Sequence, residues 1–197
     1  MRHVISALVM NEPGVLAGVA NMFSARGFNI DSLVVGRTED PGLSRMTIVV
    51  IADENTIEQV RRQLAKLVPV VSINDFKGSA YIERDLALLT VGVSRENRNE
   101  VIDTVKLFRG KVVDVSRESV VVELAGTEEK IEAFIDLMKD YGIKELARTG
   151  VIAMARGAAT ARDAVASGGA STGAAAAAGG KRVRSINAPA QASLPPS

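Results

Sequence analysis

Along the first 156 residues, short apolar runs alternate with stretches in which apolar residues recur every three or four positions. The two periods separate strands from helices. Side chains alternate faces along a strand and return to one face about every 3.6 residues on a helix. Residues 4–10 are a short apolar run, expected as a strand. Pro13 then suits a first helical turn through its fixed φ. Val15, Leu16, Val19, Met22 and Phe23 mark one helix face behind it, and Gly27 is the stop. Residues 28–35 read as a strand, 38–42 (Thr-Glu-Asp-Pro-Gly) as a turn, and 46–51 as a β-branched strand. Residues 54–67 return to the helical period through Ile57, Val60, Leu64 and Leu67. Pro69 ends that helix, and 70–76 is a fourth strand.

The same order then recurs. Residues 86–93 read as a strand, and 97–109 as a helix with Val101, Val105 and Phe108 on one face. Residues 111–115 and 120–124 form a tight hairpin around Arg117-Glu118-Ser119. Residues 127–141 are a helix striped by Ile131, Phe134, Ile135 and Met138, and Gly142 stops it. Residues 143–154 make the last strand. Two βαββαβ units predict an α+β fold of two ferredoxin-like sandwiches, residues 1–78 and 79–156, each with two helices on one sheet face. Strands such as 47–52 are apolar on both sides, so the second face of the first sheet also needs cover. Dimerisation, or docking of one unit on the other, would supply it.

Residues 157–197 break the pattern. They hold 14 Ala, 6 Gly, 5 Ser and 3 Pro, against only four large apolar residues. Such a segment buries too little surface to offset its ordering entropy, and a disordered tail is expected. It carries a short basic run, Lys181-Arg182-Val183-Arg184, which reads either as a solvated tail or as a contact for an anionic partner. Without the tail's four basic residues and one Asp, the body has 20 basic and 22 acidic residues, net −2. No global field therefore draws nucleic acid or a membrane surface.

Composition removes most catalytic chemistry. There is no Cys and one His, His3, so thiolate metal sites, thiol nucleophiles and His clusters drop out. There is no apolar run near 18 residues and no signal-peptide pattern at the start, and a cytoplasmic protein is expected. Aromatics are only 4%, and the first and third strands carry none. That argues against an RNA-binding ferredoxin-like module, which stacks bases on aromatic side chains. No carboxylate pair has an acid–base spacing, and Gly14 and Gly18 lack the Lys-Ser/Thr that would complete a phosphate loop. Arg26, Arg37 and Arg45 read as solvated surface or as an anion patch.

What remains is Asn11-Glu12-Pro13-Gly14-Val15-Leu16, between the first strand and the first helix. The amides of Gly14, Val15 and Leu16 have no intrahelical partners and sit at the positive end of the helix dipole. Gly14 lets another group approach the backbone, and Asn11 adds a side-chain amide. These residues fit an ordinary solvated helix start, and equally a small carboxylate site such as a free amino acid would fill. Asn29, a second polar residue inside an apolar run, reads as an edge-strand residue facing water. His3 reads as a structural or surface residue.

Three segments together resemble the regulatory (small) subunit of acetolactate synthase, also called acetohydroxyacid synthase. They are residues 11–16 (Asn-Glu-Pro-Gly-Val-Leu), 23–33 (Phe-Ser-Ala-Arg-Gly-Phe-Asn-Ile-Asp-Ser-Leu) and 43–47 (Leu-Ser-Arg-Met-Thr). Glu83-Arg84-Asp85, Phe108-Arg109, Arg148-Thr149-Gly150 and Arg156-Gly157 agree with its C-terminal half. The resemblance implies an N-terminal ACT domain that binds a small amino acid at a dimer interface. It implies feedback inhibition by a branched-chain amino acid, usually valine, and a chain that has no active site and activates its partner. That partner is a separate catalytic (large) subunit carrying thiamine diphosphate, magnesium and FAD, which joins two 2-keto acids on the way to valine, leucine and isoleucine. This chain would bind no cofactor. Carried over by motif, Asn11, Gly14, Val15 and Leu16 would hold the effector from one chain, with Asn29 and Ile30 approaching from the other chain of a homodimer. Gly18 departs from the pattern, standing where the family often has a basic residue.

Overall fold

The computed structural model describes residues 1–157, and the expectations for the tail fall outside them, apart from Gly157. The first unit runs β1 (Arg2–Met10), α1 (Val15–Ser24), β2 (Ser32–Arg37), β3 (Leu43–Ile51), α2 (Glu54–Leu64) and β4 (Val70–Asp75). Its sheet is antiparallel in the order β2-β3-β1-β4. The second unit runs β5 (Tyr81–Gly92), α3 (Arg98–Leu107), β6 (Lys111–Val115), β7 (Ser119–Gly126), α4 (Glu128–Lys139), β8 (Ile143–Arg148) and β9 (Ile152–Ala155). Its sheet has the order β6-β7-β5-β8, with β9 also paired to β5. These are the two expected ferredoxin-like sandwiches. No helix among the described residues is long and apolar enough to cross a membrane.

Alternation along the strands builds a core in each unit. Ile5, Ala7 and Val9 of β1 face inward with Met46, Ile48 and Val50 of β3, and meet Val15, Val19, Met22 and Phe23 of α1 and Ile57, Val60 and Leu64 of α2. In the second unit, Ala87, Leu89 and Val91 meet Val101, Val105, Ile131, Phe134 and Met138. Each buried aliphatic side chain contributes about 1.5–3 kcal/mol of transfer free energy. Asp53 caps α2 by accepting a 2.7 Å hydrogen bond from the Thr56 amide. That bond holds its carboxyl below the ordinary carboxylate range.

A third core joins the units. Val4 and Val49, on the outer face of the first sheet, pack with Phe76, Val151 and Ala153. Docking of one unit on the other therefore covers part of the doubly apolar sheet. Arg2 adds ion pairs across the junction to Glu83 (3.0 Å) and Glu128 (2.6 Å).

Three expectations are corrected. Pro13 is not in the first helical turn. It lies in the turn ahead of α1, and Gly14 is the N-cap at φ 85°. The second strand begins at Ser32 rather than at residue 28, because residues 28–31 cross from α1 to the sheet edge first. The last strand is two strands. Thr149, Gly150 and Val151 form a kink between β8 and β9, with Gly150 at φ 80°. The kink lets one chain segment pair with both halves of the twelve-residue β5. β8 meets Ala87–Val91, and β9 meets Tyr81–Arg84.

Candidate functional site

A surface cleft of about 590 Å³ opens at the start of α1. Glu12, Pro13, Gly14, Val15 and Gly18 line one side, and Met10, Leu67, Val68 and Pro69 line the other. Local chemistry positions both walls. The N–H of Met10 donates to the Pro69 carbonyl at 2.8 Å, tying the α2–β4 turn to the end of β1. The N–H of Asn11 donates to the Gly42 carbonyl, also at 2.8 Å. The left-handed conformation of Gly14 turns the chain into the helix, and a Cβ there would meet no atom within 4 Å. The approach to this backbone is open.

The helix terminus is an uncompensated donor site. The Val15 amide makes a long 3.4 Å bond to the Glu12 carbonyl, and the first regular helical bond runs from Gly18 to Gly14 at 2.8 Å. The amides of Gly14, Leu16 and Ala17 have no backbone acceptor among the described residues. No acidic side chain lies in the first turn of α1. The positive end of the helix dipole is therefore free for an anion. Glu12 brings the only formal charge to the lining, a negative one.

Of the six residues singled out in the sequence, Gly14 and Val15 line this cleft. Asn11 adjoins it, with its amide already engaged within the chain. Its Nδ2 donates to the Pro41 carbonyl at 3.0 Å, and its Oδ1 accepts from Ser44 Oγ at 3.2 Å. Asn11 thus clamps the β1–α1 turn to the β2–β3 turn and retains one donor and one acceptor site. Leu16 is 46% exposed and outside the lining. Asn29, exposed, and Ile30, half-buried, follow the other end of α1. Ten helical residues at about 1.5 Å each put them about 15 Å away, so one chain does not bring all six together. Sequence reasoning missed Leu67, Val68 and Pro69, whose proximity depends on β4 pairing with β1. Val68, an apolar residue set between the last position of the helix stripe and a helix-ending Pro, was the available signal, and it is 97% exposed in the structure.

Among the described residues no group of three or more His, Cys, Asp or Glu could hold a metal ion. The buried ionisable chemistry lies instead within the second unit, between β5, β8 and α4. Asp85 is buried, and its carboxylate accepts from Arg148 Nε at 2.8 Å and from a second Arg148 nitrogen. Arg148 also binds Glu132. Partial burial works against the Arg148 charge, yet the hydrogen bonds to Asp85 and Glu132 raise its pKa above the ordinary value.

The comparisons with known proteins agree with this architecture half by half. A family model described as an AHAS small subunit-like ACT domain matches residues 5–72, and one described as the small subunit of acetolactate synthase matches residues 84–157. The acetolactate synthase small subunit of Mycolicibacterium smegmatis is 47% identical over 155 residues, 79% of this chain and 91% of that one. An Archaeoglobus fulgidus protein, named a "probable acetolactate synthase small subunit", is 52% identical over 157 residues, 80% of this chain and 98% of its own. The crystal structure of the Thermotoga maritima small subunit superposes with a TM-score of 0.74 at 45% identity, covering 81% of this chain and 99% of that one. With both halves matched and whole relatives spanned, the chain belongs to the family of acetolactate synthase small subunits.

Proposed function

We propose that this chain binds valine at the start of α1, activates a thiamine-diphosphate-dependent catalytic subunit, and confers feedback inhibition on it. The observation that carries the reading is the cleft itself. It offers unpaired amides and a helix dipole to a carboxylate, the carboxylate of Glu12 to an ammonium, and Met10, Val15 and Leu67 to an isopropyl group. A zwitterionic aliphatic amino acid has those three features and little else. Thiamine diphosphate, magnesium and FAD belong to the catalytic partner in this reading, and both subunits work in the cytoplasm.

The strand register supports a site completed by a second copy. β2 is an edge strand, hydrogen-bonded on one side to β3. Its last residue, Arg37, pairs with Ser44, beside the Met10–Leu43 pair that leads into Asn11. Its first residue, Ser32, pairs with Val49 at the far end of the sheet. Antiparallel pairing of β2 with β2 of a second copy therefore carries the partner copy's segment 29–31 to the sheet end that holds Asn11 and Gly14. The 15 Å gap within one chain is thereby closed between two. Residues 1–78 are assigned effector binding and dimerisation, and residues 79–156 the second ferredoxin-like domain.

Reconstitution tests the reading. The purified chain is mixed with an acetolactate synthase catalytic subunit and 2-keto acid turnover is followed, with and without valine. The chain should raise turnover, and valine should lower it. Turnover unaffected by the chain, or raised by it but insensitive to valine, leucine and isoleucine, overturns the proposal.

A further inference from the structure

We propose that the Thr149–Gly150–Val151 kink is the joint through which β2 and the second sheet move as one, so that effector binding in the first unit is read out by the second. The joint stands on contacts within the chain, and its role in regulation rests on the effector reading above.

One side of the kink bears on β2. A Cβ on Gly150 would lie 2.7 Å from Ser32 Oγ and 2.9 Å from Val34 Cγ2. Backbone therefore touches β2 with no room between them. The Val151 amide donates to Ser32 Oγ at 3.4 Å, and Val151 packs dry against Val4 and Val49 beneath. Ser32 is two residues past Ile30, and the Asp31 amide is fixed to the Val49 carbonyl at 2.9 Å. A ligand that displaces Asn29 and Ile30 has almost no slack before it reaches this contact.

The other side is bolted to β5. Thr149 exchanges bonds with Leu86: its amide donates to the Leu86 carbonyl at 2.9 Å, and its Oγ1 accepts from the Leu86 amide at 3.1 Å. Thr149 Oγ1 also lies 3.3 Å from Asp85 Oδ1, and Arg148, the preceding residue, grips the same carboxylate. A shift of β2 is thus passed to β5 and β8 instead of being absorbed in a loose connection. Close-packed contacts transmit displacement in this way because they compress little.

The test is Gly150→Ala in the full chain, alone and with the catalytic subunit. The added methyl overlaps Ser32 and Val34, and an L side chain at this φ is strained, so the kink lifts from β2. Scanning calorimetry of the chain alone should change from one cooperative transition to two, a readout that needs no ligand. Valine affinity of the chain, by titration calorimetry, should stay unchanged. Half-inhibition of the assembled enzyme should require about tenfold more valine, within the range of ordinary allosteric couplings. Ser32→Ala removes only the oxygen that receives the Val151 amide. It should shift half-inhibition the same way by about twofold, and it serves as the test if Gly150→Ala does not fold. A single transition with wild-type half-inhibition overturns the joint. So does a valine affinity that falls in step with inhibition, because the kink lies outside the ligand's contacts. If wild-type chain binds no valine, the effector reading fails, and the calorimetric transitions alone decide the joint.

Discussion

Removing Arg148 and removing Asp85 should not cost the same. The side chain of Asp85 has no exposed surface, whereas that of Arg148 is 27% exposed and has Glu132 as a second partner. Arg148→Ala leaves a buried carboxylate in the second unit with only Thr149 Oγ1 as a recorded partner. Stranding a buried charge in this way costs roughly 3–5 kcal/mol. Asp85→Ala leaves a guanidinium that turns to Glu132 and water, and loses a charge-assisted bond of about 1.5–3 kcal/mol. At about 2–4 °C per kcal/mol for a chain of this size, Arg148→Ala should melt roughly 6–20 °C below wild type and Asp85→Ala roughly 3–12 °C below, with Arg148→Ala the lower of the two. The double variant should cost less than the two singles together, because the stranded charge is gone. Urea denaturation followed by circular dichroism, with slopes compared to confirm a common unfolded state, gives the ranking. Equal losses, or a larger loss for Asp85→Ala, would refute the claim that burial of the carboxylate sets the asymmetry.

Gly14→Asp should fold and still activate the catalytic subunit, yet lose its response to valine in a titration of the assembled enzyme. A carboxylate about 4 Å from the ligand's own repels it by roughly 4 kcal/mol at an effective dielectric near 20. Cβ at this position meets open space, so the cost to the fold is the left-handed φ of 85°, which Asp tolerates better than most side chains. Asn29→Ala should weaken valine inhibition in the same assay, by about the 1.5–3 kcal/mol of a charge-assisted bond. Val35, 41% exposed on the β2 edge, should convert dimer to monomer when changed to Asp, as read by light scattering at micromolar concentration. Asp53→Ala should melt below wild type at pH 7. Because the Thr56 amide holds the folded-state pKa of Asp53 below the ordinary carboxylate range, its contribution is present above the unfolded pKa and lost as pH falls through the folded pKa. The two melting curves should therefore converge in strong acid.

Periodicity carried most of the fold. The stripes at Ile57, Val60 and Leu64 and at Ile131, Phe134, Ile135 and Met138 proved to be the buried faces of α2 and α4. Pro13 misled because its φ suits a helical turn as well as the turn before one, and the left-handed Gly14 decides between them. Phe28 and Ile30 carry apolar side chains as a strand does, but residues 28–30 pair with no strand, and contact with β3 starts only at the Asp31 amide on the Val49 carbonyl. The kink was legible only as a Gly in an otherwise β-branched run, a mark that fits a bulge as readily as a break. Asp85 gave no local sign of burial. Its partners lie more than sixty positions away in Arg148 and Thr149, and such contacts leave no periodic trace. The cleft was half legible. Gly14 and the free amides follow from helix chemistry, whereas its far wall depends on sheet order.

The shared core beneath β9 also sets a schedule for biosynthesis. Val4, Val49 and Phe76 leave the ribosome long before the Val151 and Ala153 that cover them. At synthesis rates of about 5–20 residues per second, the 75 positions between Phe76 and Val151 correspond to about 4–15 s. The first unit can complete its helix-side core in that interval, since all its strands and helices lie before residue 76. Its outer face stays open until the end of the second unit arrives. A message truncated before codon 151 would thus yield a folded but adhesive product, and chaperone dependence should fall on the nascent chain rather than on the finished one.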